Sequence, residues 1–210
     1  MADETGKKSA QVNSEVGDDA PDPPIRIGVT GHRTLPDDPA LAARVADVLT
    51  RIRAPASTSG GLLPCIVLSP LAEGADRLVA TLALAAGHAT LHAILPLPME
   101  SYMADFTTAT SRDAFRALLD RASDIIVLPP AKTRTAAYWS AGEYVVDHCD
   151  ALIALWDGLP VRGEGGTGAV VAHARQQRVP LFWITPAVPY DVVEEAGRGL
   201  ARRRPVSETA

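Results

Sequence analysis

Consecutive glycines ahead of an apolar, helix-forming run are the feature of this sequence with the most definite chemistry. Leu155-Trp156-Asp157-Gly158 leads through Arg162-Gly163-Glu164 into Gly165-Gly166-Thr167-Gly168 and then Ala169-Val170-Val171. Glycines in that position expose backbone N–H groups, and the positive end of the following helix favours an anion held by them. Thr167 adds a hydroxyl, and Trp156 offers a ring on which a base could stack, as does Tyr138. A flexible loop would account for the glycines alone, but less well for their place between a buried strand and a helix.

Two further stretches carry polar side chains just after apolar runs. Gly31-His32-Arg33 follows the first run, where the glycine allows a tight turn and Arg33 presents a planar fork suited to phosphate or carboxylate. Taken alone, it reads as an ordinary strand-to-helix turn with a solvated arginine. Ser69-Pro70-Leu71-Ala72-Glu73-Gly74-Ala75-Asp76-Arg77 follows the second. Glu73 and Asp76 there either cap the next helix, whose dipole favours acids, or accept ribose hydroxyls while Ser69 and Gly74 line the ligand. The stretch by itself does not choose between these readings.

Other chemistries lose support. No Gly-Lys-Ser/Thr follows the glycines and no Gly-x-Gly-x-x-Gly turn follows the first strand, so neither a Walker loop nor ordinary NAD-linked hydride transfer is expected, and no cofactor is assigned. His88, His92, His148 and His173 lack paired metal-ligand spacing, and Cys65 and Cys149 lack a Cys-x-x-Cys motif, so no metal is expected. A formal net charge of -5 supplies no global positive field, and nucleic acid is not expected as a partner. No apolar run approaches bilayer length and the N-terminus has no apolar h-region, which points away from membranes and toward the cytoplasm.

The elements that must position these groups follow from periodicity. Short β-branched runs at Ile25 to Thr30, Cys65 to Ser69, Thr90 to Leu95, Ile125 to Leu128, Ala151 to Trp156 and Leu181 to Thr185 alternate with segments of helical period. Leu41, Val45, Val48, Leu49 and Ile52 mark one helix face, and Leu78, Leu82 and Ala86 another. Further helices are expected at Asp113 to Arg121, Ala136 to His148 and Thr167 to Gln177. The pattern predicts a single α/β, doubly wound, Rossmann-like domain over 25–186, with a mainly parallel six-stranded sheet and helices on both faces. Residues 1–24 read as a disordered polar tail, and 187–210 as a short helix, extended by Val192 and Val193, before a basic tail. Ligands in such sheets bind beyond the strands' carboxyl ends where strand order reverses. That reversal is expected between the Ile25 and Ala151 strands, with the Ile125 strand at an edge.

Taken together and in this order, Gly31-His32-Arg33, Ala72-Glu73-Gly74-Ala75-Asp76 and Trp156-Asp157-Gly158 followed by Gly165-Gly166-Thr167-Gly168 resemble the SLOG superfamily. These Rossmann-like nucleotide-binding proteins include DprA, the lonely-guy phosphoribohydrolases and bacterial domains proposed to sense nucleotide-derived signals. The resemblance covers roughly Ile25 to Pro186. It implies a nucleotide or nucleotide-derived ligand, a homodimer through helices on one sheet face, with the alanine-rich Ala80 to Ala86 surface allowing close approach, and a separate effector protein if the chain is a sensor. In the enzymatic branch, Pro-Gly-Gly-x-Gly-Thr-x-x-Glu follows the equivalent strand. Here Gly165, Gly166 and Gly168 match, while Glu164 replaces the proline, Ala169 the threonine and Ala172 the catalytic glutamate. Phosphoribohydrolase chemistry is therefore expected only if another acid takes over, with Glu73 first, and Asp157 and Glu164 behind it. The alternatives are a binding module, a hydrolase of an N-glycosidic bond using Glu73, and an oligomeric scaffold with a relic pocket.

Overall fold

The computed structural model describes residues 23–54, 61–159 and 166–197. In chain order these form β1 (Ile25–Gly31), α1 (Pro39–Arg53), β2 (Cys65–Ser69), α2 (Ala75–Ala86), β3 (Ala89–Leu95), α3 (Met99–Met103), α4 (Ala109–Leu119), β4 (Asp124–Val127), α5 (Arg134–His148), β5 (Ala151–Leu155), α6 (Thr167–Gln177), β6 (Leu181–Ile184) and β7 (Val192–Glu195). The sheet order is β4-β3-β2-β1-β5-β6-β7. Every pairing is parallel except β6 with β7.

Alternation along the central strands divides the core in two, because successive side chains leave opposite faces of a sheet. Ile27, Val29, Val67, Leu91, Ala93 and Ile153 pack under α1, α2, α3 and α4, whose Leu41, Val45, Val79, Tyr102 and Phe115 belong to the same cluster. Leu68, Ile94, Leu152 and Ala154 face the other way, against Val145 and Val146 of α5 and Val170, Val171 and Ala174 of α6. β5 is buried at every position, as a strand covered on both faces must be.

Helix starts follow capping chemistry. Asp38 accepts from Ala40 N at 2.8 Å ahead of Pro39, which suits the first helical position. Thr108 and Thr133 cap α4 and α5 in the same way, at 3.0 and 3.1 Å. The Thr108 cap starts α4 at Ala109, four residues ahead of the start at Asp113 read from apolar spacing. Arg53 ends α1 only 1% exposed, where its guanidinium donates to the carbonyls of Leu63, Gly87 and His88 at 2.8, 3.0 and 3.4 Å. That fan of bonds ties α1 to the segments leading into β2 and β3.

Two expectations change. The sheet has seven strands rather than six, because Val192 and Val193 form an antiparallel edge strand instead of extending a helix. The β-branched pair suits a strand, and ion pairs hold it: Arg175 grips Glu195 through two bonds of 2.8 and 2.6 Å, and Arg51 meets Glu194. The sheet thus runs past Pro186. The alanine surface on α2 is also largely internal, since Ala80 and Ala83 are completely buried in the core. The expected tails at residues 1–22 and 198–210 lie outside the described residues.

Candidate functional site

The sheet order reverses between β1 and β5, with Gly31 level with Leu155. The connections that leave parallel β1 and β5 run to opposite faces of the sheet, to α1 and α6, and so open a crevice at the strands' carboxyl ends. A cavity of about 240 Å³ occupies it. Its walls come from the end of β1 (Val29, Thr30, Gly31) with Arg33, the turn after β2 (Pro70, Ala72, Asp76), Pro96 and Tyr102 beyond β3, Tyr138, Ala141 and Gly142 of α5, and Thr167 and Val170 of α6.

Glycines bring these walls together. A Cβ on Gly31 would lie 2.4 Å from the Ala75 Cβ and 2.7 Å from the Leu155 carbonyl oxygen, so only glycine lets α2 and β5 close on the end of β1. Gly74 has φ +77°, and a Cβ there would lie 2.2 Å from the His32 carbonyl oxygen. That same carbonyl accepts from Ala75 N at 3.1 Å, seating the start of α2 against the loop after β1. Gly142 plays the equivalent part between α5 and α6, where a Cβ would meet Val170 Cγ2 at 2.5 Å.

The polar groups reaching the cavity are largely unsatisfied by the protein. Among the described residues, the hydroxyls of Thr30, Tyr102 and Thr167 and the guanidinium of Arg33 have no hydrogen-bonding partner. Arg33 lies over the Tyr138 ring, 5.5 Å from its centroid. The Tyr138 hydroxyl donates to Asp105 and accepts from Arg134 Nε at 3.1 Å, which fixes the ring beneath the guanidinium. At the start of α6, Gly166 occupies the cap position without a side-chain cap. Its carbonyl takes the N–H groups of Ala169 and Val170 at 2.9 and 3.3 Å, leaving those of Thr167 and Gly168 without an acceptor among the described residues.

Asp76 is the acid at the cavity wall and is 6% exposed. Its Oδ2 accepts from Ala72 N at 3.1 Å. Burial pushes its pKa up to about 7, against the opposing pull of the Ala72 N–H and of Arg33 and Arg77. Burial also lifts the Tyr102 hydroxyl well above the ordinary phenol value, with the Asp76 charge adding to it.

Glu73 sits elsewhere. It accepts a hydrogen bond from Ser111 Oγ on α4, and Arg77 Nη1 donates to the same Ser111 hydroxyl and carbonyl at 2.9 Å. Arg77 also stacks on Phe106 at 4.4 Å, so this group fastens α2 to α4 beside the cavity. Ser69 is fully buried and accepts from Leu71 N at 3.1 Å, shaping the turn after β2. His32 Nε2 accepts from Asp157 N at 3.2 Å, joining the ends of β1 and β5. Trp156 is buried in the second core against Trp183, whose Nε1 donates to the Trp156 carbonyl at 2.6 Å. Gly158, at φ +78°, passes over the Trp183 ring. None of these lines the cavity. Gly165, with Arg162, Gly163 and Glu164, lies outside the described residues.

Thr30, Tyr102 and Gly142 were missed by the sequence reading. Thr30 had a usable signal, as the last residue of a predicted strand before a glycine. Tyr102 had none, because α3 is too short to show a period.

No protein-family model and no curated protein matches the chain. Among solved structures, it is similar to DNA processing protein A from Helicobacter pylori, with a TM-score of 0.50 and 16% identity, covering 80% of this chain and 68% of that one. At this identity the likeness bears on the α/β fold. That structure was described for its single-stranded DNA binding mode, and this overturns the exclusion of nucleic acid drawn from net charge. Net charge averages over a whole surface, whereas a strand is held by a few local donors, so a mildly acidic total does not rule it out. Among the described residues no helix is long and apolar enough to cross a membrane.

Proposed function

We propose that this chain binds a nucleotide or nucleotide-derived small molecule in the cavity at the β1/β5 reversal, as a Rossmann-like domain of the SLOG type. The observation that carries this reading is the convergence there of Arg33, the uncapped start of α6 and several unpartnered hydroxyls. An anion between the Arg33 guanidinium and the Thr167 and Gly168 N–H groups would gain charge-assisted hydrogen bonds from both sides. Tyr138 holds Arg33 from below. Gly166 supports the same reading: its φ of -83° suits any residue and a Cβ would meet nothing within 4 Å among the described residues, so no described contact demands the glycine, whereas an anion at this cap would need the clearance. The volume of about 240 Å³ is somewhat below the ~300–1,000 Å³ of drug-sized sites, so a mononucleotide would extend beyond the enclosed space.

Turnover of an N-glycosidic bond is the second reading, favoured by the near-neutral Asp76 at the cavity wall. In that case Asp76 is better placed for acid chemistry than Glu73, which is held by Ser111.

The test is calorimetry with AMP, adenosine and a short DNA oligonucleotide, followed by chromatography of the recovered ligand. Arg33→Ala should weaken AMP about ten- to a hundredfold, the worth of one charge-assisted hydrogen bond of ~1.5–3 kcal/mol, and leave adenosine unchanged. Equal binding of AMP and adenosine by the variant and the wild type would remove the anion site from the reading. Oligonucleotide binding that AMP does not displace would move the function to strand binding.

A further inference from the structure

We propose that Asp76 is a specificity-determining ligand contact that carries a proton: its neutral carboxyl donates from Oδ1 to the anionic group held by Arg33 and the α6 start, so that each anion enters with one proton. The inference rests on the ligand reading above and adds to it the protonation state in which the site binds.

The geometry is that of a buried acid with one open oxygen. Asp76 lines the cavity while 6% exposed, Oδ2 is taken by Ala72 N, and Oδ1 has no donor among the described residues. The charged and titratable groups around it come from four elements. Arg33 follows β1, Arg77 and Glu73 belong to α2 and the turn before it, Tyr102 comes from α3, and Tyr138 comes from α5 with Asp105 and Arg134 on its hydroxyl. Arg77 is already engaged with Leu71 O and Ser111, next to Glu73. Arg33 is thus the cation near Asp76 whose guanidinium has no hydrogen-bond acceptor among the described residues.

An anion on Arg33 changes Asp76 in two ways at once. It cancels the cation that helps Asp76 stay ionised, and it adds a negative charge to the same small cavity. Both disfavour the carboxylate, whose pKa burial has already pushed up to about 7. An ionised carboxyl can only accept and would repel the anion, whereas the neutral form has an O–H to give. The proton comes from solvent and stays on Asp76 while the anion is bound. By linkage, affinity falls as pH rises through the free-state pKa, by up to about tenfold per pH unit.

The experiment measures AMP affinity of the wild type and of Asp76→Asn between pH 5.5 and 8.5. The amide donates at every pH and its oxygen can keep the Ala72 bond, and the ionisation of AMP itself cancels in the ratio of the two proteins. The variant should match the wild type at pH 5.5 and bind about tenfold tighter or more at pH 8.5. A ratio that stays flat, or a wild type that gains on the variant as pH rises, overturns the proposal. Should the variant not fold, the carboxyl carbon of Asp76 is titrated by NMR in the wild type. Its midpoint should rise by about one pH unit or more on saturation with AMP, and an unchanged or lower midpoint overturns the proposal. A flat ratio with AMP bound leaves the ligand reading standing, whereas no AMP binding at any pH removes both.

Discussion

At the scale of single residues, the two acids after β2 part company over what surrounds each. Glu73 has the Ser111 hydroxyl to satisfy it with the Arg77 charge nearby, while Asp76 is enclosed with one N–H and two cations that do not fully offset its desolvation. The consequence for stability has a definite sign. The folded pKa of about 7 lies above the ordinary value of 3.8, so the native state holds the extra proton between those limits. The penalty is absent below about pH 4, grows as pH rises, and is complete above pH 7, with an upper bound of about 4 kcal/mol. Asp76→Asn should therefore melt at a higher temperature than the wild type at pH 8 and close to it at pH 4. Parallel melting of the two proteins across that range would show that Asp76 does not titrate near neutrality. Glu73→Gln, by contrast, should leave AMP affinity within about twofold, which calorimetry at pH 7 can check.

At the scale of elements, the glycines differ in what they are for. Gly74→Ala forces a side chain into φ +77° and onto the His32 carbonyl, and should destabilise the fold by about 2 kcal/mol or more. Gly166→Ala meets no atom within 4 Å among the described residues at an ordinary φ, so it should change stability by less than about 0.5 kcal/mol. The same substitution should lower AMP affinity if the proposed anion rests against this cap, where an added methyl would crowd it. Denaturant titration beside calorimetry distinguishes them; a Gly166→Ala protein that binds AMP as wild type does would take the cradle out of the proposal. Arg53→Met tests the link between α1 and the starts of β2 and β3. It leaves the Leu63 and Gly87 carbonyls without their buried donor, while His88 keeps its bond from Cys65 N, and should cost about 3 kcal/mol in the same titration.

At the scale of the whole molecule, the seventh strand bears on where the folding unit ends. β7 pairs along β6, and Tyr190 behind it is buried and donates to Asp38 Oδ2 at 2.6 Å, tying the strand's approach to the cap of α1. A chain cut after Pro186, the boundary suggested by periodicity, loses both, and should show a lower melting temperature than one ending at Gly197. Equal melting curves would mean that β7 is an ornament on a complete sheet. The opposite edge is β4, where Ile125 and Val127 are 47% and 49% exposed.

Periodicity was enough for the alternating elements, the parallel core and the reversal between β1 and β5, because those follow from which residues must leave water and from the handedness of crossovers. Residue type at the turns after strands singled out Gly31, Arg33, Asp76 and Thr167, and its ring singled out Tyr138 of α5; the structure brings these five to the walls of one cavity. The sequence could not separate Asp76 from Glu73, three residues apart, or Tyr138 from Trp156, because residue type and spacing do not say which side chain turns into a crevice and which into a neighbouring element. Ser111, distant in sequence, decides the first pair, and Trp183 on β6 decides the second. β7 was lost for a related reason: four residues of Val-Val-Glu-Glu show no clear period, and only β6 beside them and the arginines at 51 and 175 make them a strand. Solvent exclusion acts locally and can be read along the chain, but the partner that satisfies a buried polar group is chosen by the packing of elements far apart in it.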